Sequence, residues 1–76
     1  MTPLSRKIAS SMAKKYGTTV DAMFSRRRFP EMVAARSEAW FVLYRSHGYS
    51  MARIGRIWGR DHTTIMHGVN KFRSVQ

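Results

Sequence analysis

The apolar residues of the chain recur at helical spacing, and glycine and proline divide them into segments. In the first segment they fall at every fourth position: Leu4, Ile8, Met12 and Tyr16. This spacing places them on one face of a helix. Thr2 and Pro3 suit the cap and the first position of a helix, and Gly17 suits its end. The pattern therefore predicts a helix over Pro3–Tyr16.

The middle of the chain predicts two more helices with a basic loop between them. Thr19 can cap a short helix whose apolar residues are Val20, Met23 and Phe24. Ser25–Pro30 has no periodicity, and Pro30 disfavours a helical conformation at Phe29. A third helix is predicted from about Glu31 to His47, ended by Gly48. Its expected core face comprises Met32, Ala35, Ala39, Val42 and Leu43, with Trp40, Phe41 or Tyr44 beside it.

The last third predicts a helix-turn-helix over about residues 51–73. Ser50 can cap a short helix with apolar Met51, Ile54, Ile57 and Trp58, and Gly59 breaks it. Asp61 can cap a fifth helix, in which Ile65, Val69 and Phe72 share the inner face. Met66 fits either the inner or the outer face of this helix. The expected fold is all-α, a single domain over 1–76 built as a small bundle of about five helices.

Charge narrows the class of partner. Lys and Arg number 14 against 4 Asp and Glu, which gives a net charge of +10 and a pI near 11.5. Ten of the 14 basic residues are arginine, whose rigid donor fork suits phosphate and guanine edges. Charge alone favours nucleic acid, and it leaves open a solubilising surface, an acidic protein or an anionic membrane. No apolar run approaches the ~18 residues of a membrane span, so we expect a cytoplasmic protein.

The second helix of the predicted helix-turn-helix begins with side chains that can read bases. It starts Arg60-Asp61-His62-Thr63-Thr64, and in such motifs these first residues meet base edges. Aspartate accepts from cytosine, and threonine offers a hydroxyl and a methyl group. The alternative is that Asp61 only caps the helix and that His62 is solvated.

The run Ile54–Lys71 strongly resembles the signature of the C-terminal DNA-binding domain of DnaA, the bacterial replication initiator. The specific part is Gly-Arg-Asp-His-Thr-Thr, followed by two apolar residues and His67. Upstream, Val20–Arg28 is similar to the family's helix and Ser-basic-Arg-Arg loop, and Ile8–Tyr16 to its opening helix. The resemblance covers about residues 4–73.

The resemblance implies a role for each matching position. Asp61, His62 and Thr63 would read bases in the major groove, and Arg28 would enter the adjacent minor groove. Contacts with the phosphate backbone are expected from Arg26, Arg27, Ser50, Met51, Arg60, Thr64, His67 and Lys71. The expected partner is double-stranded DNA, bound by a monomer, in regulation of replication initiation or of transcription. The initiator itself or another protein is a further candidate partner.

The chain departs from the family pattern in four features. One glycine, Gly59, precedes the Arg-Asp-His run, where many members have two. Gly68 replaces a residue that is usually alanine, at a cost of about 1 kcal/mol inside a helix. Met51-Ala52 replaces Leu-Pro, and Pro30 falls earlier than the family's proline. These departures bear on the turn and on the fine sequence preference.

No enzyme, cofactor or metal site is expected. The sequence holds no Gly-x-x-x-x-Gly-Lys-Ser/Thr loop for ATP, and no cysteine. His62 and His67 are badly spaced for a shared metal. The four acids have capping or surface explanations, and Phe29 and Tyr49 are placed at the surface. A solvated basic face is expected from Arg36, Arg45, Arg53, Arg56 and Arg73. Two alternatives remain: a regulator with a different operator, and a basic module that binds an acidic protein.

Overall fold

Five helices make up the part of the chain that the computed structural model describes, residues 2–74. They are α1 (Pro3–Tyr16), α2 (Val20–Phe24), α3 (Pro30–His47), α4 (Met51–Trp58) and α5 (His62–Ser74). The expectation of a small all-α bundle is confirmed. Helix α3 begins at Pro30, in the first-turn position that proline favours, rather than at about Glu31.

The predicted caps account for most helix boundaries. The hydroxyls of Thr2, Thr19 and Ser50 each accept a backbone N–H in the first turn of α1, α2 and α4. Gly17, Gly48 and Gly59 end α1, α3 and α4 with positive φ angles, a conformation that costs glycine little. Local sequence therefore sets where the helices start and stop.

Helix α3 is the centre of the molecule, because the other four helices all pack against it. All six residues from Ala35 to Trp40 are buried, so polar residues are enclosed together with apolar ones. The rings of Trp40 and Trp58 meet edge-on with centroids 5.8 Å apart, and Phe24 stacks on Trp58 with centroids 4.0 Å apart. This aromatic set joins α2, α3 and α4.

The structure confirms several assignments of residues to core or surface and corrects one. Trp40 and Trp58 are buried, as expected, and Phe41 and Tyr44 are half-buried against the core. Phe29 is 53% exposed, as expected, and Met66 lies on the outer side of α5. Tyr49 is buried, contrary to its expected place at the surface. Among the described residues, no helix has the length and apolar character needed to cross a membrane.

Candidate nucleic-acid interface

The beginning of α5 presents a row of exposed side chains. Asp61, His62, Thr63 and Thr64 are all exposed. Oδ1 of Asp61 accepts the backbone N–H of Thr63 at 3.1 Å, so the predicted cap is present. The same oxygen lies 3.2 Å from Nδ1 of His62. Both contacts use Oδ1, so the cap leaves the second carboxylate oxygen, Oδ2, for another partner.

The turn between α4 and α5 forms with one glycine, Gly59, directly before the Arg-Asp-His run. The N–H groups of Gly59 and Arg60 both donate to the carbonyl of Gly55, the latter at 2.9 Å. A Cβ at Gly55 would lie 2.6 Å from the carbonyl oxygen of Arg60. The close approach of α4 to its own turn therefore depends on the missing side chain at Gly55.

The basic loop leaves α2 beside this turn and carries three exposed arginines, Arg26, Arg27 and Arg28. The hydroxyl of Ser25 donates to the Ala22 carbonyl at 2.6 Å and accepts the N–H of Arg27 at 3.3 Å. Proline at position 30 starts α3 and so ends the loop. The loop therefore ends one residue after Arg28, at Phe29, the N-cap of α3.

Arg36 and Arg60 hold the start of the loop through hydrogen bonds to the carbonyl of Ser25. The place of Arg36 differs from the expected one. Arg36 was expected on a solvated face, but it is only 6% exposed. It donates to the carbonyls of Ala22, Met23 and Ser25, which end α2. Arg60, half-buried, donates to the carbonyls of Trp58 at 3.0 Å and Ser25 at 2.7 Å. The expectation failed because Arg36 lies one turn before Trp40 on the buried side of α3.

A basic groove of about 370 Å³ runs between the loop and α5. Its polar lining comprises Arg26, Arg28, Arg36, Ser37, Arg60, Thr64, His67 and Lys71. None of the described residues that line it is acidic. Burial lowers the pKa of Arg36, and the positive charges of Arg60 and Arg28 lower it further. The groove therefore concentrates positive charge without neutralising it, which favours an anion.

The structure brings together some predicted contact residues and leaves others apart. Arg26, Arg28, Arg60, Thr64, His67 and Lys71 share the groove, whereas Arg27, Ser50 and Met51 are not among its lining. The hydroxyl of Ser50 accepts the N–H of Arg53 at 3.1 Å. Met51 is half-buried. The N-terminus of α4 is thus a separate surface from the groove.

Sequence reasoning also missed a polar cluster at the junction of α1 and α3. Glu38, 9% exposed, was given a surface or capping role. Its carboxylate accepts from Nζ of Lys15 at 2.7 and 2.9 Å and from the hydroxyl of Tyr16. The spacing of Lys15 and Tyr16 near the end of α1 gave no signal of this partner, because it comes from another helix.

The fold and the exposed start of α5 define a helix-turn-helix domain, a class that binds DNA through its second helix. Comparison with known proteins agrees, since the family described as the bacterial dnaA protein helix-turn-helix matches residues 5–72. The chain belongs to this family of DNA-binding domains. No solved structure matches it significantly.

The relatives are much longer proteins. The chromosomal replication initiator protein DnaA of Deinococcus radiodurans is 35% identical over 71 residues, which is 93% of this chain and 14% of the relative. The protein of the same name from Streptococcus equi subsp. zooepidemicus is 33% identical over 70 residues, 91% of this chain and 16% of the relative. The chain therefore spans about one-seventh of the length of these relatives.

Proposed function

We propose that the chain binds double-stranded DNA sequence-specifically, at sites of the DnaA-box type. The observation that carries this proposal is the exposed start of α5 beside a groove lined by basic and no acidic side chains. On a surface that attracts phosphate only by charge, the Asp61 carboxylate would serve only as the cap of α5 and would repel phosphate. Base readout has a use for it, because a carboxylate accepts from cytosine.

Major-groove recognition is assigned to Asp61, His62 and Thr63. They occupy the first turn of α5 and the position before it, where a helix docked end-on meets base edges. The imidazole of His62 can donate or accept, and the methyl group of Thr63 can contact thymine. Thr64 and His67 lie on the side of α5 that lines the groove, so phosphates are their proposed partners.

Minor-groove recognition is assigned to Arg28. Its side chain is exposed on the loop and lines the groove together with residues of α5. Adjacent major and minor grooves of a duplex are separated by one sugar-phosphate strand. We assign that strand to the basic groove, where Arg26 and Lys71 would neutralise phosphates. A narrow A·T-rich minor groove attracts an inserted arginine, which favours such a step beneath Arg28.

Further backbone contacts are assigned outside the groove. Ser50 and Met51 begin α4, whose unpaired N–H groups suit a phosphate, and Arg27 is exposed on the loop. The relatives are named replication initiators. We therefore propose a role in replication-origin regulation or transcription, without ATPase activity or a cofactor, by a monomer associated with the nucleoid.

The test is fluorescence anisotropy with a DnaA-box duplex and a scrambled duplex of equal length. We expect the box to bind at least ~10³-fold more tightly, within the range of specific protein–DNA ratios. The His62→Ala variant should lose most of this preference, whereas Arg45→Ala, at the exposed end of α3, should keep it. Equal affinity for both duplexes would contradict the proposal and leave two alternatives, a different operator or an acidic protein partner.

A further inference from the structure

One backbone carbonyl joins the basic loop to the helix-turn-helix. The carbonyl oxygen of Ser25 accepts Nη2 of Arg36 at 2.6 Å and Nη2 of Arg60 at 2.7 Å. Ser25 directly precedes the loop arginines, and Arg60 lies in the turn directly before α5. This oxygen therefore joins the start of the basic loop to α3 through Arg36 and to the turn before α5 through Arg60.

The guanidinium group of Arg60 is used as a bridge between two elements. Nη1 donates to the carbonyl of Trp58 at 3.0 Å, at the end of α4, while Nη2 donates to the carbonyl of Ser25 at 2.7 Å, at the start of the basic loop. Two diverging donors on one rigid plane allow both bonds at once, and a lysine ammonium on a flexible stem does not reproduce them. The phosphate contact expected of Arg60 would have to compete with these bonds.

This arrangement gathers like charges that no acidic side chain in the groove lining offsets. Burial lowers the pKa of Arg60, and so does the charge of Arg26. Charge-assisted hydrogen bonds to carbonyls are the compensating contacts. They confine the loop at Ser25, three positions before Arg28.

We propose that Arg60, supported by Arg36, is a positioning residue that sets the distance between Arg28 and the base-reading start of α5. The joint at Ser25 would then act as a specificity determinant, because it decides whether both grooves of one site can be read together. This inference rests on the proposed DNA-binding function. It assigns Arg60 a role within the protein rather than at a phosphate.

The test is a double-mutant cycle between Arg60→Lys and Arg28→Ala, measured on the box and scrambled duplexes. Lysine keeps the charge, so a phosphate contact would survive, but the bridge would not. We expect Arg28→Ala to weaken box binding about tenfold or more in the parent, and less than about threefold in Arg60→Lys, since coupled residues are non-additive. Arg45→Lys is the matched control and should leave the effect of Arg28→Ala unchanged. Additive effects would overturn the inference.

A measurement on the free protein separates this inference from the proposed function. Backbone order parameters from ¹⁵N relaxation should fall at residues 26–28 in Arg60→Lys and remain unchanged in Arg45→Lys. Circular dichroism checks that both variants are folded. If the parent does not prefer the box, the proposed function fails, and the order parameters still decide whether the joint exists. Unchanged order parameters at residues 26–28 in Arg60→Lys would overturn the inference that Arg60 positions the loop.

Discussion

At the scale of single residues, Gly68 shows how a local cost is explained by a distant neighbour. A Cβ at Gly68 would lie 2.5 Å from the ring of Trp40. Trp40 is buried and held edge-on against Trp58, so its ring has little room to move. The glycine that weakens α5 locally is the residue that admits the indole of α3.

Replacing Gly68 by alanine is therefore expected to destabilise the protein by up to about 2 kcal/mol. Overpacking a core costs about 1–3 kcal/mol, and the gain in helix propensity returns about 1 kcal/mol. Urea unfolding measures the difference. Asn70→Ala, exposed on the same helix, is the control and should stabilise slightly. In a Trp40→Phe background, Gly68→Ala should cost less, and an equal cost would show that the ring is not the obstacle.

The two roles of Asp61 can be separated by one substitution. Asparagine caps helices about as well as aspartate, but it lacks the charge that favours accepting from cytosine. We expect Asp61→Asn to keep the thermal stability of the parent and to weaken box binding by about 1–3 kcal/mol, the worth of one good base contact. Calorimetry and anisotropy are the measurements. Unchanged box affinity would show that Asp61 is only a cap.

At the scale of elements, the polar contact between α1 and α3 depends on the protonation of Lys15 and Tyr16, which donate to Glu38. Hydrogen bonds to the Glu38 carboxylate raise the pKa of Tyr16 above its usual 10.0 and that of Lys15 above its usual 10.5. The folded protein therefore holds these protons more tightly than the unfolded chain does. Its stability from this source is complete below about pH 10 and is lost as the pH rises further.

The prediction is a free energy of unfolding that falls between pH 8 and 11. Tyr16→Phe should lower stability at pH 8 by about 1–2 kcal/mol, because a hydrogen bond to a carboxylate is lost, and the alkaline fall should become shallower. Urea unfolding at both pH values is the measurement, with Tyr44→Phe as the control. An equally steep fall in Tyr16→Phe would mean that other groups cause it.

At the scale of the whole molecule, charge is distributed so that one groove collects it. The net charge of +10 belongs to the sequence, but the concentration of Arg26, Arg28, Arg60 and Lys71 around one cavity belongs to the fold. Helix α3 creates this arrangement, since it packs against every other helix and brings residues distant in sequence to one side.

This distribution predicts the salt dependence of binding. With about six phosphates neutralised, the logarithm of the association constant should fall with a slope near −5 against the logarithm of salt concentration. Lys71→Ala should make the slope shallower by about one and weaken both duplexes alike. Lys7→Ala removes the same charge from α1 and should leave the slope unchanged. If Lys7→Ala and Lys71→Ala changed the slope equally, binding would depend on the net charge of the protein and not on the position of Lys71.

Much of the candidate site was predictable because its signals are local. The caps at Thr2, Thr19 and Ser50 and the breaks at glycine depend on nearest neighbours, and the structure contains them. The exposure of His62 and Thr63 agrees with their predicted place among the first residues of the second helix. The proposed base and phosphate contacts remain predictions.

The residues that were misjudged all have partners in another element. Arg36 bonds with the end of α2, and Glu38 with the end of α1. The hydroxyl of Tyr49 lies 3.4 Å from that of Thr2. A charged residue on a helix is usually solvated, and the packing of the other helices against α3 reverses that expectation for Arg36 and Glu38.

The sequence by itself determined the five helices, the all-α class, the excess of positive charge and the start of α5. Spacing and capping involve residues close together in the sequence, and composition does not depend on the order of the residues at all. Only the tertiary structure decided that Arg36 is buried, that Gly68 accommodates Trp40 and that the Ser25 carbonyl ties the basic loop to Arg60. The physical reason is that burial and hydrogen bonding depend on neighbours in space, which a linear pattern does not specify.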